Sequence, residues 1–213
     1  QPNSMQVGFI NNLRKIYEAG EDRALLISAT GTGKTYASAF ATRELGFKRV
    51  LFLVHRNQIA KQAMKSYRKV FNGTVSMGMV TGKQQDYDAD FVFGTIQTIS
   101  KEETLKHYER DHWDLIIIDE AHHSSAASYK RIMDYFIPRL WLGMTATPDK
   151  RDDNLEGRNI YEIFNHQIAY EIRLQNAMEE DLLCPFHYFG ITDLEIISDC
   201  GKSSEEKMET SVI

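Results

Sequence analysis

Two hydrophobic rhythms alternate along the chain. Phe9, Leu13, Ile16 and Tyr17 fall at i, i+4, i+7 and i+8, one face of a helix, and Gly20 follows as its expected C-terminal cap. Residues 24–27 are apolar at every position, the pattern of a strand buried on both faces in a parallel sheet. A turn of small residues at 29–33 then leads into a helix-compatible stretch over 34–45, punctuated by Gly46. Residues 50–54 repeat the buried-strand pattern, and Ile59, Ala63, Tyr67 and Val70 mark the next helix, with Asn57 expected as its N-cap. Short strands are predicted at 75–80 and 91–94 around a polar loop at 83–90. Residues 115–118 are the plainest buried strand; Tyr129, Ile132, Met133 and Phe136 predict a helix stopped by Pro138, and 140–144 a further strand. This alternation predicts an α/β fold with a mostly parallel sheet flanked by helices in three layers.

Beyond residue 149 the pattern changes. Residues 149–159 are dense in charge and read as an exposed loop. Leu174, Ala177, Met178 and Leu182 suggest a later helix, 186–191 a strand, and Ser203 with Glu206 a capping box in a polar tail.

Composition narrows the class. A chain of 213 residues holds one large domain, or one domain with an appendage. With 42% hydrophobic and 26% charged residues, and only 4 Pro and 13 Gly, it is neither disordered nor collagenous. No apolar run approaches the roughly 18 residues of a membrane helix, so no membrane partner is expected. Cys184 and Cys200 give neither a disulfide framework nor a zinc pair, which points to a reducing cytoplasm. The net charge of −5 argues against a blanket of positive charge yet leaves room for a local phosphate-binding patch. A start at Gln1, with no signal-peptide pattern, reads as a piece of a longer protein.

Candidate chemistry sits where predicted strands end. In Ser28-Ala29-Thr30-Gly31-Thr32-Gly33-Lys34-Thr35, small residues let consecutive backbone N–H groups face one centre, and the following helix adds its positive end. Lys34 is expected between the β- and γ-phosphates of a nucleoside triphosphate, and the Thr35 hydroxyl on magnesium. Ser28 stands where the general GxxxxGK[ST] pattern has its first glycine, and an ordinary Gly-rich turn is the plainer alternative. After the strand at 115–118 comes Asp119-Glu120-Ala121-His122. Asp119 is expected to hold hydrated magnesium and Glu120 to accept a proton from attacking water, with His122 as a hydrogen-bonding coupler. Two adjacent acids could instead open a helix and offset its dipole.

These residues resemble a known family. Residues 29–35 are similar to motif I of superfamily 2 DEAD/DEAH-like helicases, Asp119-Glu120-Ala121-His122 to the DEAH form of motif II, and Thr145-Ala146-Thr147 to motif III. Residues 54–62 resemble motif Ia, and 94–98 a later motif that touches the nucleic-acid backbone. Among such proteins the overall likeness is to the type III restriction enzyme Res-subunit branch. The resemblance implies a RecA-like P-loop NTPase fold over 1–190, with 191–213 a linker or the start of a second domain. It implies ATP and Mg2+ held by Thr30, Gly31, Thr32, Gly33, Lys34 and Thr35, with Gln6 reading the adenine edge. It further implies Thr145 and Thr147 as coupling residues, and Arg56, Gln62 and Thr95 as contacts to nucleic acid, double-stranded DNA.

No Gln-x-x-Gly-Arg-x-x-Arg follows, so the chain reads as the first motor domain of a helicase or translocase whose second RecA-like domain supplies the arginines that meet the γ-phosphate. An ATP-gated nucleic-acid sensor or remodelling switch, or the motor of a restriction complex without true unwinding, would use the same residues.

Overall fold

The strands of the central sheet bury almost every residue they contain, so each must be covered on both faces. A computed structural model describes residues 2, 4–28, 33–121, 127–146 and 160–172. In chain order the elements are α1 (Ser4–Glu18), β1 (Arg23–Ser28), α2 (Lys34–Glu44), β2 (Val50–Val54), α3 (Asn57–Phe71), β3 (Met77–Val80), β4 (Phe91–Thr95), α4 (Ile96–Ile99), α5 (Glu102–Leu105), β5 (Leu115–Asp119), α6 (Ala127–Tyr135), β6 (Leu140–Thr145), α7 (Ile160–Ile163) and β7 (Ile168–Ile172). They form a seven-stranded sheet in the order β3-β4-β2-β5-β6-β1-β7. Every strand-to-strand pairing among the described residues is parallel; Val80 and Gln85 add one isolated antiparallel bridge.

Side-chain alternation sorts the core into two halves. Ala24 and Leu26 of β1, Val50, Phe52 and Val54 of β2, and Leu115 and Ile117 of β5 face the layer of α1, α2 and α3. Leu25, Ile27, Leu51, Leu53, Ile116 and Ile118, the intervening residues, face the layer of α4 to α7. The chain runs β1 to β2 to β3 across the sheet and then returns through β4, β5, β6 and β7. Right-handed crossovers in opposite directions put helices on opposite faces, which gives the three predicted layers. Among the described residues no helix is long and apolar enough to cross a membrane.

Most expected elements are present, with local differences. Asn57 is the first residue of α3 rather than its cap; Arg56 holds the cap position in an extended conformation. β3 starts at Met77, two residues later than its apolar run. The short helices α4, α5 and α7, and the edge strand β7, were not anticipated, because one turn of helix leaves no periodicity to read. The loop at 149–159 and every element expected after residue 172 lie outside the described residues.

Two glycines set the spacing of layers. A Cβ on Gly143, within β6, would stand 2.6 Å from the ring of Phe164, which is fully buried just after α7. A Cβ on Gly8, within α1, would stand 2.9 Å from the ring of Tyr170 on β7. Gly143→Ala should therefore overpack a site enclosed on all sides and cost about 1–3 kcal/mol of stability. Denaturant unfolding checks this, and a midpoint equal to wild type would show that Phe164 has room to move.

Candidate functional site

In a parallel sheet all strands deliver their carboxyl ends to one edge, where α/β folds bind ligands. Here that edge collects Ser28 from β1, Val54 from β2, Thr95 from β4, Asp119 from β5 and Thr145 from β6. The register makes neighbours of Ile27 and Thr145, of Asp119 and Met144, and of Val54 and Thr95. Residues from five separate stretches thus meet without any loop having to reach far.

Lys34 opens α2 behind Gly33, whose φ of 87° is left-handed and open to few residues but glycine. No side chain among the described residues caps this helix, and a helix start of that kind suits an anion. The Lys34 ammonium donates to the Ser28 carbonyl at 3.1 Å. Burial lowers its hold on the proton, and the charges of Glu120 and Asp119 oppose that loss. Asp119 moves the other way: burial above all, then the charge of Glu120, raises its carboxyl above the ordinary value, against the pull of Lys34 and the Glu120 N–H. That N–H donates to Asp119 Oδ1 at 3.1 Å. Glu120 itself has a φ of 56°, a conformation that costs a non-glycine residue on the order of 1 kcal/mol or more.

The remaining expected residues are placed as follows. Gln6 is buried, with its amide nitrogen 3.1 Å from where a Gly33 Cβ would lie, so it borders the loop rather than facing solvent. Thr35 is half-buried beside Lys34, and Thr145 is fully buried at the end of β6. Arg56 and Gln62 are exposed on the first turns of α3. Thr95 is buried, and its hydroxyl donates to the Thr98 hydroxyl at 2.9 Å. Thr30, Gly31, Thr32, His122 and Thr147 lie outside the described residues.

Two residues joined to this edge had no individual role assigned from sequence, where His55 stood only within residues 54–62. The buried Tyr129 hydroxyl of α6 and Nε2 of His55 share a hydrogen bond of 2.9 Å, their rings edge-on with centroids 5.5 Å apart. Burial first, and then the charges of Asp119 and Glu120, hold the Tyr129 proton in place. Helical spacing showed Tyr129 only as a core residue, and a partner 74 positions away leaves no trace in a pattern of near neighbours.

The residues present fit a magnesium-bound nucleoside triphosphate. A left-handed glycine, an uncapped helix start and an ammonium suit phosphate oxygens. A hydroxyl at Thr35 and a carboxyl at Asp119 are of the kind that would supply the few hard oxygen ligands magnesium takes from protein. Burial first, and then the charge of Glu120, disfavour the ionised Asp119 carboxyl, and a bound cation would favour it.

Comparison with known proteins points the same way. The family model for the type III restriction enzyme, res subunit, matches residues 1–150. The type I restriction enzyme EcoAI endonuclease subunit of Escherichia coli is 32% identical over 197 residues, covering 87% of this chain and 23% of that protein. The chain spans about a quarter of the length of the curated relatives it matches. Among solved structures, a nuclease-deletion mutant of the Type ISP restriction-modification enzyme LlaGI, in complex with a DNA substrate mimic, superposes with a TM-score of 0.64 at 20% identity, over 85% of this chain and 21% of that one. The Hef helicase domain of Pyrococcus furiosus gives 0.62 at 21% identity, over 81% and 39%. The shared architecture is the RecA-like helicase fold.

The charge on Asp119 has a cost that can be measured. Its native carboxyl holds a proton more tightly than the unfolded one, so stability falls as pH rises from the ordinary value of 3.8 through the raised native value. Asp119→Asn should melt at a higher temperature than wild type at neutral pH, with the gain fading as acid protonates Asp119 in both states, and should lose affinity for magnesium-nucleotide. Thermal melts across pH check this; a lower melting temperature at neutral pH would contradict it.

Proposed function

The chain belongs to the type III restriction enzyme, res subunit family, and from that premise we propose that it is the first RecA-like motor domain of a superfamily 2 DNA helicase or translocase. The observation that carries this reading is the placement of Lys34 at the start of α2, bonded to Ser28 and facing the acids of β5. In this reading residues 1–190 form the motor domain and 191–213 lead to a second RecA-like domain. The relatives' greater length supports a partner unit of that kind. A cytoplasmic setting is part of the same reading.

Lys34 meets the β- and γ-phosphates of ATP, and the backbone of Thr30, Gly31, Thr32 and Gly33 cradles them. Thr35 and Asp119 hold magnesium, which when bound neutralises phosphate charge. Glu120 takes the proton of the attacking water, while Gln6, beside Gly33, reads the adenine edge. Within the DEAH box formed with Asp119 and Glu120, His122 acts with Thr145 and Thr147 to pass nucleotide state to the strand-binding edge. Arg56, Gln62 and Thr95 address the phosphate backbone of double-stranded DNA, contacts that position without reading sequence. Arginines from the second domain would complete the site; such groups are worth about 10³–10⁵ in turnover in related phosphoryl-transfer systems.

A restriction-complex motor that translocates without unwinding is the second reading. It is favoured by the likeness to the EcoAI subunit and to LlaGI.

Lys34→Ala should abolish or severely weaken ATP binding in isothermal titration. Glu120→Gln should leave binding intact and lower turnover of the intact protein by ~10²–10⁴-fold, as loss of a general base does. Equal loss of binding and turnover in Glu120→Gln would contradict this division of labour.

Nucleic-acid binding should be weak, salt-sensitive and indifferent to sequence. Arg56→Ala should reduce the slope of log affinity against log salt by about 0.7–0.9, one phosphate's share. Fluorescence anisotropy at several salt concentrations reads this directly, and an unchanged slope would remove Arg56 from the contact set.

A further inference from the structure

We propose that Tyr129 and His55 form a positioning link that joins the acid-bearing end of β5 to the junction of β2 and α3, and so makes ATP turnover respond to bound nucleic acid. The inference rests on the motor reading above and adds to it a physical connection between its two binding regions.

The register supplies the first part. β2 and β5 are adjacent, with Leu53 opposite Ile118. His55 and Glu120 each lie two residues beyond those paired positions, so the two strand exits leave the sheet side by side. Asp119 and Glu120 occupy one exit. On the other, His55 is followed at once by Arg56, the exposed cap residue of α3.

Tyr129 of α6 packs in the core beneath one exit and reaches the other. Its ring is fully buried in the cluster that holds Leu53, Ile118 and Ala121, and its hydroxyl meets His55 Nε2 at 2.9 Å. A buried tyrosine usually finds some partner for its hydroxyl, so the choice of partner is what informs. Elsewhere in the same helical layer, Tyr108 donates to the Tyr87 carbonyl and Tyr135 to the Tyr108 carbonyl, both main-chain groups. Tyr129 instead engages a side chain on the rim of the site. Ile118 and Ala121, which flank the two acids in the chain, belong to the same buried cluster as the Tyr129 ring. A displacement of the β5 exit therefore moves the ring, the His55 that its hydroxyl meets, and with it the start of α3.

The test is ATP turnover by the intact protein as duplex DNA is titrated in. Tyr129→Phe keeps the ring and removes only the hydroxyl. It should lower the DNA-stimulated kcat by about 5- to 150-fold, the size of a usual coupling free energy between sites. The KM for ATP should stay within ~2-fold, because ground-state binding is untouched. His55→Ala, at a partly exposed position, should give the same split, whereas His55→Gln, which retains an acceptor, should keep more stimulation. The double variant His55→Ala/Tyr129→Phe should be no worse than either single change, as expected of two residues that act as a pair. Unchanged stimulation in folded Tyr129→Phe, or losses that multiply in the double variant, would overturn the link. If wild type itself shows no stimulation by DNA, the motor reading and the link fall together; a stimulated wild type beside an equally stimulated variant sinks the link alone.

Discussion

One ammonium faces two carboxylates across the carboxyl edge of the sheet, and the strands that introduce them, β1 and β5, are separated by β6. Burial works against all charge there: it weakens the Lys34 proton and strengthens that of Asp119. Lys34 and the two acids nevertheless oppose these effects on one another, so the group is held together by charge as well as by the sheet. The conformations around this group belong to the same arrangement. Gly33 turns left-handed to begin α2 at the loop, and Glu120 accepts a strained backbone that lets two consecutive acids leave the strand together.

The parallel sheet makes this arrangement economical. Every strand end lies on one rim, so the candidate residues at the ends of β1, β5 and β6 and those at the ends of β2 and β4 become neighbours through β2–β5 pairing alone. The helical layers then decide what each exit can do. α1 lies close against β7 because Gly8 has no side chain to hold Tyr170 away, and this brings Gln6 to Gly33. From the opposite face α6 places Tyr129 in the core beneath one exit and within reach of the other.

Much of this was legible in the sequence, for physical reasons that also explain what was not. Fully apolar runs such as Leu115–Ile118 announce buried parallel strands, since both faces must be covered, and the phosphate loop and Asp119-Glu120 stand at fixed offsets from such runs. The family match and the RecA-like architecture agree with that reading. β7 escaped notice because its residues Tyr170 and Glu171 break the apolar run of an edge strand. Arg56 replaced Asn57 as the cap because strand β2 runs almost directly into α3, leaving only His55 and Arg56 between them. The Gln6–Gly33 approach and the Tyr129–His55 bond are products of tertiary packing, and no local spacing encodes either.

The sheet order has a further consequence, for the timing of assembly. β1 precedes β2 to β5 in the chain, yet its partners in the sheet are β6 and β7, with Arg23 opposite Trp141 and Ser28 opposite Ile172. On a ribosome adding ~5–20 residues per second, β1 waits roughly 6–24 s before its first partner is even synthesised. During that interval β2, β3, β4 and β5 can pair among themselves, since they are contiguous in the sheet as well as nearly so in the chain. The first strand of this sheet to be made is thus the last to be enclosed. An apolar strand left unpaired for that long is what a chaperone would meet first.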